Sequence, residues 1–397
     1  MSNFLEDIQK KIPLQEGIEG HRTIFREIYR AGLISLKDLS QKTLIPIPLI
    51  AKIVNKLIEA KILDRISEGI LFTENGMKYI ENELNFYGYG IIKCEECNGH
   101  PVYLSPRWDY LLEILEKLFD TRPEVDTSLD QAFATAKSSL RRALLLYERG
   151  ALEGKKICLL GDDDYTSVAI SHLYLGFFPE EPKLIPDELM IIDLDERILN
   201  GIKDILTEFD FNVSYKKWDY KKKIPSELLH KFDSIMLDPP YTEAGLKLTL
   251  SRAVDMLKEI PGRDIFLSFA NRAPDQIFKI QEIITQMGLV ITEIFPRFNT
   301  YEGASVFGNL TQMIHLVTFS KTKSLVSFDE NFEDNIYTGE ISPTTRFYYC
   351  RNCHKTIEVG DKSNFKTIEK LKENGCPHCG STGPFNLERK SKNNQRS

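Results

Sequence analysis

The chain has 397 residues, of which 42% are hydrophobic and 27% charged, and its formal net charge is −7. These values are ordinary for a soluble globular protein of two or three domains, and they exclude a membrane-spanning chain because no apolar run approaches the roughly 20 residues of a span. The N-terminal residues lack the apolar core of a signal peptide, so we expect a cytoplasmic protein.

The charge is unevenly distributed along the chain. Residues 1–90 carry 12 basic and 12 acidic side chains, and residues 345–397 carry 11 basic and 5 acidic ones, which leaves a net charge of −13 on residues 91–344. An acidic body with a basic tail suits a cationic small ligand better than a nucleic acid.

Residues 1–88 are predicted to form a winged helix-turn-helix-like domain. The spacing of apolar residues predicts helices over 21–30, 36–42 and 48–61, then a β-hairpin over 63–73 and a helix over 74–84. The domain is neutral, and the helix in the recognition position offers only Lys52, Lys56 and Lys61. A packing or dimerisation module is therefore favoured over a DNA-binding one.

A connecting segment over 89–152 contains the first of three C-x-x-C pairs, a spacing that indicates metal or redox chemistry rather than disulfides. Cys94 and Cys97 are half of a tetrahedral zinc site, which could recruit His100, pair with another half-site or remain without metal. Helices are predicted over 108–119 and 131–152. Asp130 and Gln131, between them, could fold over a ligand; a capping role for residues 126–130 fits equally well.

An apolar run over 157–160 ends in Gly161 and three consecutive aspartates, Asp162, Asp163 and Asp164. A strand that turns on glycine into a helix is where doubly wound α/β domains bind nucleotides. Three acids exceed what helix capping needs, so the surplus carboxylates predict a cationic ligand. The alternative is that Asp162 caps the helix and the other two lie in a solvated loop.

Residues 153–330 alternate between strand and helix patterns. Strands are predicted over 157–160, 189–194, 212–215, 232–237, 265–269, 289–295 and 313–319, with helices over 168–175, 196–209, 244–260 and 275–287. This alternation predicts an α/β fold with a Rossmann-like, doubly wound parallel sheet. The last two strands are close in sequence and predict an antiparallel edge.

Acids follow three of these strands. Asp193 ends the second strand, where an acid can accept both hydroxyls of a ribose, and Asp219 follows the third, in position to meet an adenine amino group. The fourth strand ends in Asp238, two prolines and Tyr241, a rigid corner that could bind an amine nitrogen or be no more than a turn. The stretch 296–310, rich in glycine and aromatic residues, is expected to be a loop that forms a wall or lid.

Residues 345–385 are predicted to form a zinc-ribbon-like module. Two C-x-x-C pairs, 22 residues apart, supply the ligands Cys350, Cys353, Cys376 and Cys379. A site with four thiolates is closed, so its zinc is expected to be structural. The tail, 386–397, is polar and basic and is predicted to be disordered.

With GDDD after the first strand and DPPY after the fourth, the sequence resembles the branched-chain polyamine synthases, also called N4-bis(aminopropyl)spermidine synthases. The resemblance covers roughly residues 20–330 and includes Cys94 and Cys97, Asp130 and Gln131, Asp193, Asp219, and the run from Tyr301 through Gly303 to Ala304. It implies a methyltransferase-type sheet and an enzyme that moves aminopropyl groups from decarboxylated S-adenosylmethionine to the secondary amine of spermidine, with methylthioadenosine as by-product. We also expect a homodimer.

This reaction requires the acceptor amine to lose a proton before it attacks the carbon next to sulfonium. We expect Asp163 or Asp164 to accept that proton, with Asp163 favoured, while Asp238 and Tyr241 aim the nitrogen. The donor is expected to contact Gly161, Asp162, Asp193, Asp219 and Gln131.

Two other functions fit parts of the pattern. An N6-adenine-type methyltransferase acting on DNA or RNA also uses a DPPY corner, but the triple aspartate and the acidic body argue against phosphate binding. A transcription regulator could sense a polyamine without converting it, although the DPPY corner argues for catalysis.

Overall fold

The structure, a computed structural model, describes residues 4–84, 86, 102–177, 186–209, 211–302, 309–338, 346–360, 363–365 and 368–387. The chain divides into two units. The first comprises Met1–Val125, Ala132–Pro239 and Leu246–Glu333, and the second comprises Asp126–Gln131, Pro240–Gly245 and Asp334–Ser397. Within the described ranges, no helix is both long enough and apolar enough to cross a membrane.

The N-terminal elements contain the helices and the hairpin that the apolar spacing predicts. They are α1 (Phe4–Lys11), α2 (Gly17–Ala31), α3 (Leu36–Thr43), α4 (Ile47–Glu59), β1 (Leu63–Ile66), β2 (Gly69–Phe72) and α5 (Glu74–Asn82). Ser35 and Thr73 cap α3 and α5 by accepting hydrogen bonds from Asp38 N (3.1 Å) and Gly76 N (2.9 Å). The sequence analysis does not predict α1, and the winged helix-turn-helix assignment stays a prediction.

Between α5 and the first strand of the large sheet, the described residues form the α-helices α6 (Asp109–Phe119) and α7 (Ala136–Glu148). The predicted continuous helix over 131–152 is wrong at both ends. At the start, Thr135 N donates to Thr300 O (2.9 Å) and Ala134 forms a β-bridge with Tyr301, so the chain is held extended until Thr135 caps α7. At the end, Gly150 takes a left-handed conformation (φ 63°), which stops the helix.

The first unit contains a seven-stranded sheet built from β3 (Lys156–Leu160), β4 (Glu188–Asp193), β5 (Val213–Lys217), β6 (Ser234–Leu237), β7 (Asp264–Ala270), β8 (Leu289–Thr300) and β9 (Leu310–Thr318). The strand order is β5-β4-β3-β6-β7-β9-β8. The five strands from β5 to β7 are parallel, and β9 runs antiparallel to both β7 and β8. The predicted parallel sheet with an antiparallel edge is thus confirmed.

Four helices lie between these strands in the sequence: α8 (Thr166–Phe177), α9 (Glu196–Leu206), α10 (Glu243–Met256) and α11 (Pro274–Gln286). Every residue of β4 and β6 is buried, which is why these strands read as continuous apolar runs. The strand order reverses at β3, which lies between β4 and β6. In open α/β sheets, ligands bind at the carboxyl ends of the strands beside such a switch point.

The stretch 296–310 is only partly a loop, which corrects the prediction. Strand β8 continues to Thr300, and its last residues pair with β9, Asn299 with Thr311 and Thr300 with Leu310. A shift in register between Phe295 and Asn299 accommodates Pro296, which lacks an N–H for the ladder. Gly303 and Ala304 lie outside the described residues.

The second unit contains a three-stranded antiparallel sheet of β10 (Arg346–Cys350), β11 (Thr356–Val359) and β12 (Phe385–Leu387), in the order β11-β10-β12, and the helix α12 (Ile368–Asn374). Its core includes Ile357, Leu371 and Cys350, all buried. The predicted tail beyond residue 387 lies outside the described residues, as do Cys94, Cys97 and His100.

Candidate active site

The turn after β3 depends on the conformation of Gly161. Its φ of 85° lies in the left-handed region, and its N–H donates to Ile192 O (2.8 Å). A Cβ at this position would approach the Tyr220 hydroxyl at 3.3 Å. The turn therefore requires glycine, and it carries the three aspartates past the carboxyl end of the central strand.

Asp162 caps α8, which is the alternative that the sequence leaves open for this residue. Its carboxylate accepts hydrogen bonds from Thr166 N (2.8 Å), Ser167 N (3.2 Å) and the Ser167 hydroxyl. Burial raises the pKa of Asp162 to about 8, although these hydrogen bonds act in the opposite direction. The carboxylate oxygens of Asp162 thus already accept hydrogen bonds from the first residues of α8. A role of Asp162 in donor binding stays a prediction.

Asp164 is buried and fully paired. Its carboxylate contacts Arg142 Nη1 at 2.5 Å and accepts a hydrogen bond from Ala134 N, and its carbonyl accepts one from Ser139 Oγ (2.7 Å). The structure thus gives this carboxylate a cation and a backbone donor. It is a poor candidate for accepting a proton from a substrate.

Asp163 differs from both neighbours because it is partly exposed and because no hydrogen bond to its carboxylate is found among the described residues. Its pKa is raised well above the usual range, first by its removal from bulk water and then by the charges of Asp164, Asp193 and Asp238. Arg142 acts against this shift. A carboxylate with these properties has a high affinity for a proton or for a cationic ligand.

Asp238 directly follows β6, and its side chain is 13% exposed. One of its oxygens accepts hydrogen bonds from Arg142 Nη2 (2.9 Å) and from the Tyr301 hydroxyl. Burial raises the pKa of Tyr301 well above the usual value, so this hydroxyl stays protonated and donates. Asp238 is therefore a hydrogen-bond acceptor that is held from two sides.

Arg142 is the residue of this site that the sequence analysis misses. Its guanidinium is buried and contacts side chains from three other parts of the chain: Asp164, Asp238, Tyr301 (2.7 Å) and Asn299 (2.8 Å). A signal exists in SLRRALLLYE, where two arginines fall within an apolar helix, since an arginine is rarely buried unless it is paired.

Asp193 lies at the carboxyl end of β4, which neighbours β3, and Asp219 follows β5, the strand on the far side of β4, so each acid follows the strand that the sequence predicts. Asp193 ends β4 and is buried; it accepts hydrogen bonds from Asp162 N (3.1 Å) and Asp195 N (2.8 Å), and burial raises its pKa to about 6. Asp219 follows β5 and accepts from Lys221 N (2.9 Å). Their roles toward a donor stay predictions.

Gln131 and Tyr241 belong to the second unit. Gln131 Oε1 accepts a hydrogen bond from Asp126 N (2.7 Å), and Tyr241 is partly exposed. The contacts of Gln131 with the donor and of Tyr241 with the acceptor stay predictions.

The four C-terminal cysteines converge as the spacing predicts. The Sγ atoms of Cys350, Cys353, Cys376 and Cys379 all lie within 4.8 Å of one another. Zinc bound by four thiolates at about 2.3 Å sets sulfur atoms nearly 4 Å apart, so this cluster fits a tetrahedral ion. Such a site has no open coordination position and can support only the local fold.

The strand order defines an α/β fold with a methyltransferase-like sheet, and acidic side chains lie at the carboxyl edge of this sheet near its switch point. Residues 110–359 match the family model of the branched-chain polyamine synthase A C-terminal domain. An uncharacterized protein of Methanocaldococcus jannaschii is 36% identical over 381 residues, which are 96% of this chain and 91% of the relative. The N(4)-bis(aminopropyl)spermidine synthase of the same organism is 32% identical over 270 residues, 66% of this chain and 72% of the relative.

A solved structure, the C9 mutein of the branched-chain polyamine synthase from Thermus thermophilus, superposes with a TM-score of 0.64 at 19% identity, covering 86% of this chain and 99% of that one. This superposition shows a similarity of fold, whereas the family match and the relatives show a similarity of sequence. The chain belongs to the branched-chain polyamine synthase family and is a transferase.

Proposed function

We propose that this protein transfers aminopropyl groups from decarboxylated S-adenosylmethionine to the secondary amine of spermidine. The products are N4-aminopropylspermidine, then N4-bis(aminopropyl)spermidine, and methylthioadenosine. In each transfer the acceptor nitrogen first loses the proton of its ammonium form and then forms a bond to the carbon next to sulfonium, while the carbon–sulfur bond breaks toward sulfur. The first transfer leaves a tertiary amine and the second a quaternary ammonium that carries no proton.

The observation that carries this proposal is the carboxylate of Asp163, which has no hydrogen-bond partner among the described residues, beside acids that do have partners. The substrates are cations: spermidine is a polyamine, and the decarboxylated donor ends in an ammonium instead of the carboxylate of S-adenosylmethionine. An acidic site favours that ammonium over a carboxylate.

In this proposal Asp163 accepts the proton of the acceptor amine. A general base works best when its pKa is close to that of the group it deprotonates, and an ammonium has a far higher pKa than an ordinary carboxyl. Burial and the neighbouring acids raise the pKa of Asp163 and so reduce this difference. Asp238, held by Arg142 and Tyr301, would accept a hydrogen bond from the nitrogen and aim its lone pair.

The donor would lie along the carboxyl ends of β3, β4 and β5, with Gly161 allowing close approach, Asp193 facing the ribose and Asp219 facing the adenine. Contacts of Tyr241 and Gln131 with substrate, the domain limits and the homodimer stay predictions. The four cysteines would hold a structural zinc that takes no part in the transfer.

The names of relatives support the same reaction. Two of the similar proteins, from Thermococcus kodakarensis and M. jannaschii, are N(4)-bis(aminopropyl)spermidine synthases. The T. thermophilus structure is a complex with N4-aminopropylspermidine and 5'-methylthioadenosine, an acceptor-derived product and the nucleoside by-product.

Mass spectrometry tests the proposal directly. Purified protein is incubated with spermidine and either decarboxylated or intact S-adenosylmethionine. We expect one or two aminopropyl units to be added, with methylthioadenosine released, only from the decarboxylated donor. If this donor gives no product while the intact one methylates nucleic acid, the protein is a methyltransferase and the proposal fails.

A further inference from the structure

Arg142 forms the physical link between the two motifs of the site. It lies on α7 with its side chain only 2% exposed, and it reaches Asp164 of the GDDD turn and Asp238 of the DPPY corner. Its Nε also donates to Asn299 Oδ1 in β8 at 2.8 Å. A guanidinium has five N–H donors in a rigid fork, which suits simultaneous contact with several acceptors.

The contacts of the site also determine which of its acids have a partner for their carboxylate. Asp164 and Asp238 share the one guanidinium, and Asp162 and Asp193 accept hydrogen bonds from backbone N–H groups. In the described part of the chain, Asp163 is thus the one acid of this cluster without a hydrogen-bond partner.

We propose that Arg142 is a positioning residue: it fixes Asp164 and Asp238 relative to each other and removes both from competition for the amine proton, so that Asp163 receives it. This inference rests on the proposed aminopropyl transfer. Arg142 itself need not touch either substrate, because it acts through the carboxylates that it holds.

The charge part of this role can be tested without substrate. Asp164 is surrounded by Arg142 from α7 and by the other ionisable groups of the site, namely Asp162, Asp163, Asp238 and Tyr301. In R142Q the cation is gone, so we expect the folded variant to bind about one proton more than wild type near neutral pH. The slope of the free energy of unfolding against pH gives the difference in bound protons between the unfolded and folded states, so this slope measures the extra proton.

Two further variants separate charge from packing. In the double variant R142Q/D164N one of the two acids that lose the cation is also removed, so the extra proton uptake should be smaller than in R142Q. R142K keeps the cation and should show the wild-type proton count, but a single ammonium cannot contact Asp164, Asp238 and Asn299 together. We therefore expect its kcat to fall by about tenfold or more while its KM for spermidine changes by less than about threefold.

Three results would overturn the inference: a folded R142Q with the wild-type proton count, an extra proton uptake in the double variant as large as that in R142Q, or full kcat in R142K. If R142Q does not fold, the kcat of R142K still decides. A wild-type protein that transfers no aminopropyl group, with the expected proton counts, would refute the proposed function and leave the charge role of Arg142 standing.

Discussion

Replacing each of two adjacent aspartates by asparagine should separate activity from stability. Asp163→Asn removes the expected proton acceptor and should lower kcat by about 10²- to 10⁴-fold, the usual contribution of general base catalysis. The same change removes a carboxyl group whose ionised form is disfavoured by burial and by the charges of Asp164, Asp193 and Asp238. The midpoint of unfolding should therefore stay unchanged or rise.

Asp164→Asn should instead have a large effect on stability and a smaller effect on kcat. Breaking a buried ion pair costs about 3 to 5 kcal/mol when one charge is left unpaired, and here the lower end applies because Arg142 keeps its contact with Asp238. We expect a loss of about 3 kcal/mol in the free energy of unfolding. The fall in kcat should be smaller than that of Asp163→Asn.

The assay combines urea denaturation with steady-state kinetics of aminopropyl transfer on both variants. Asp204→Asn is the matched control, since Asp204 is an exposed aspartate on α9 and should change neither quantity. Asp163→Asn with wild-type kcat would refute the assignment of the base. A stability loss in Asp163→Asn as large as in Asp164→Asn would refute the distinction between a free and a paired carboxylate.

Three more predictions concern a core contact, the cysteine cluster and the pH dependence of stability. A Cβ on Gly201 would clash with the Tyr165 hydroxyl in the core, so Gly201→Ala should lower the free energy of unfolding by about 1 to 3 kcal/mol in urea denaturation. Metal analysis should find about one zinc per chain, and Cys376→Ser should lower the zinc content and the thermal midpoint of the second unit. The contribution of Asp193 to the stability of the unliganded protein should fall as pH rises from about 4 through 6, because burial raises the pKa of this carboxyl to about 6 while unfolded carboxyls titrate near 4. The free energy of unfolding of wild type minus that of Asp193→Asn, from denaturation at several pH values, should therefore decrease over this range.

The first two of these predictions have a control in the chain. Asn200→Ala, one residue before Gly201 on an exposed position of α9, should leave stability within about 0.5 kcal/mol. Cys158→Ala in β3 should keep the zinc, because that thiol lies in a different unit from the cysteine cluster. Equal losses in either control and its partner, or a difference between wild type and Asp193→Asn that does not change with pH between about 4 and 6, would contradict these expectations.

The sequence predicts the sheet well because its strands are buried apolar runs. The strands β3, β4 and β6 are defined by their own composition, and the motifs follow them directly. Errors occur where a distant partner decides the local structure. Thr135 is excluded from α7 because its N–H is bound to Thr300, and Pro296 is included in β8 because β9 pairs around it.

Arg142 illustrates the same limit for the site. Helical spacing places it on α7, but its importance comes from residues 22 and 96 positions further along the chain, Asp164 and Asp238. Which of two neighbouring arginines pairs with them is decided by tertiary packing: Arg142 has four side-chain partners, whereas the Nε of Arg141 has none among the described residues. No pattern in the sequence separates the two.

Three consecutive aspartates illustrate why residue type alone does not assign a role. Asp162 is held by the N-terminus of α8, Asp164 by Arg142, and Asp163 by no hydrogen bond from the described residues. Arg142 holds Asp164 in place beside Asp163, and the charge of Asp164 is among those that raise the pKa of Asp163. Exchanging Asp164 or Arg142 should therefore change the proton affinity of Asp163 even though neither group needs to touch the amine.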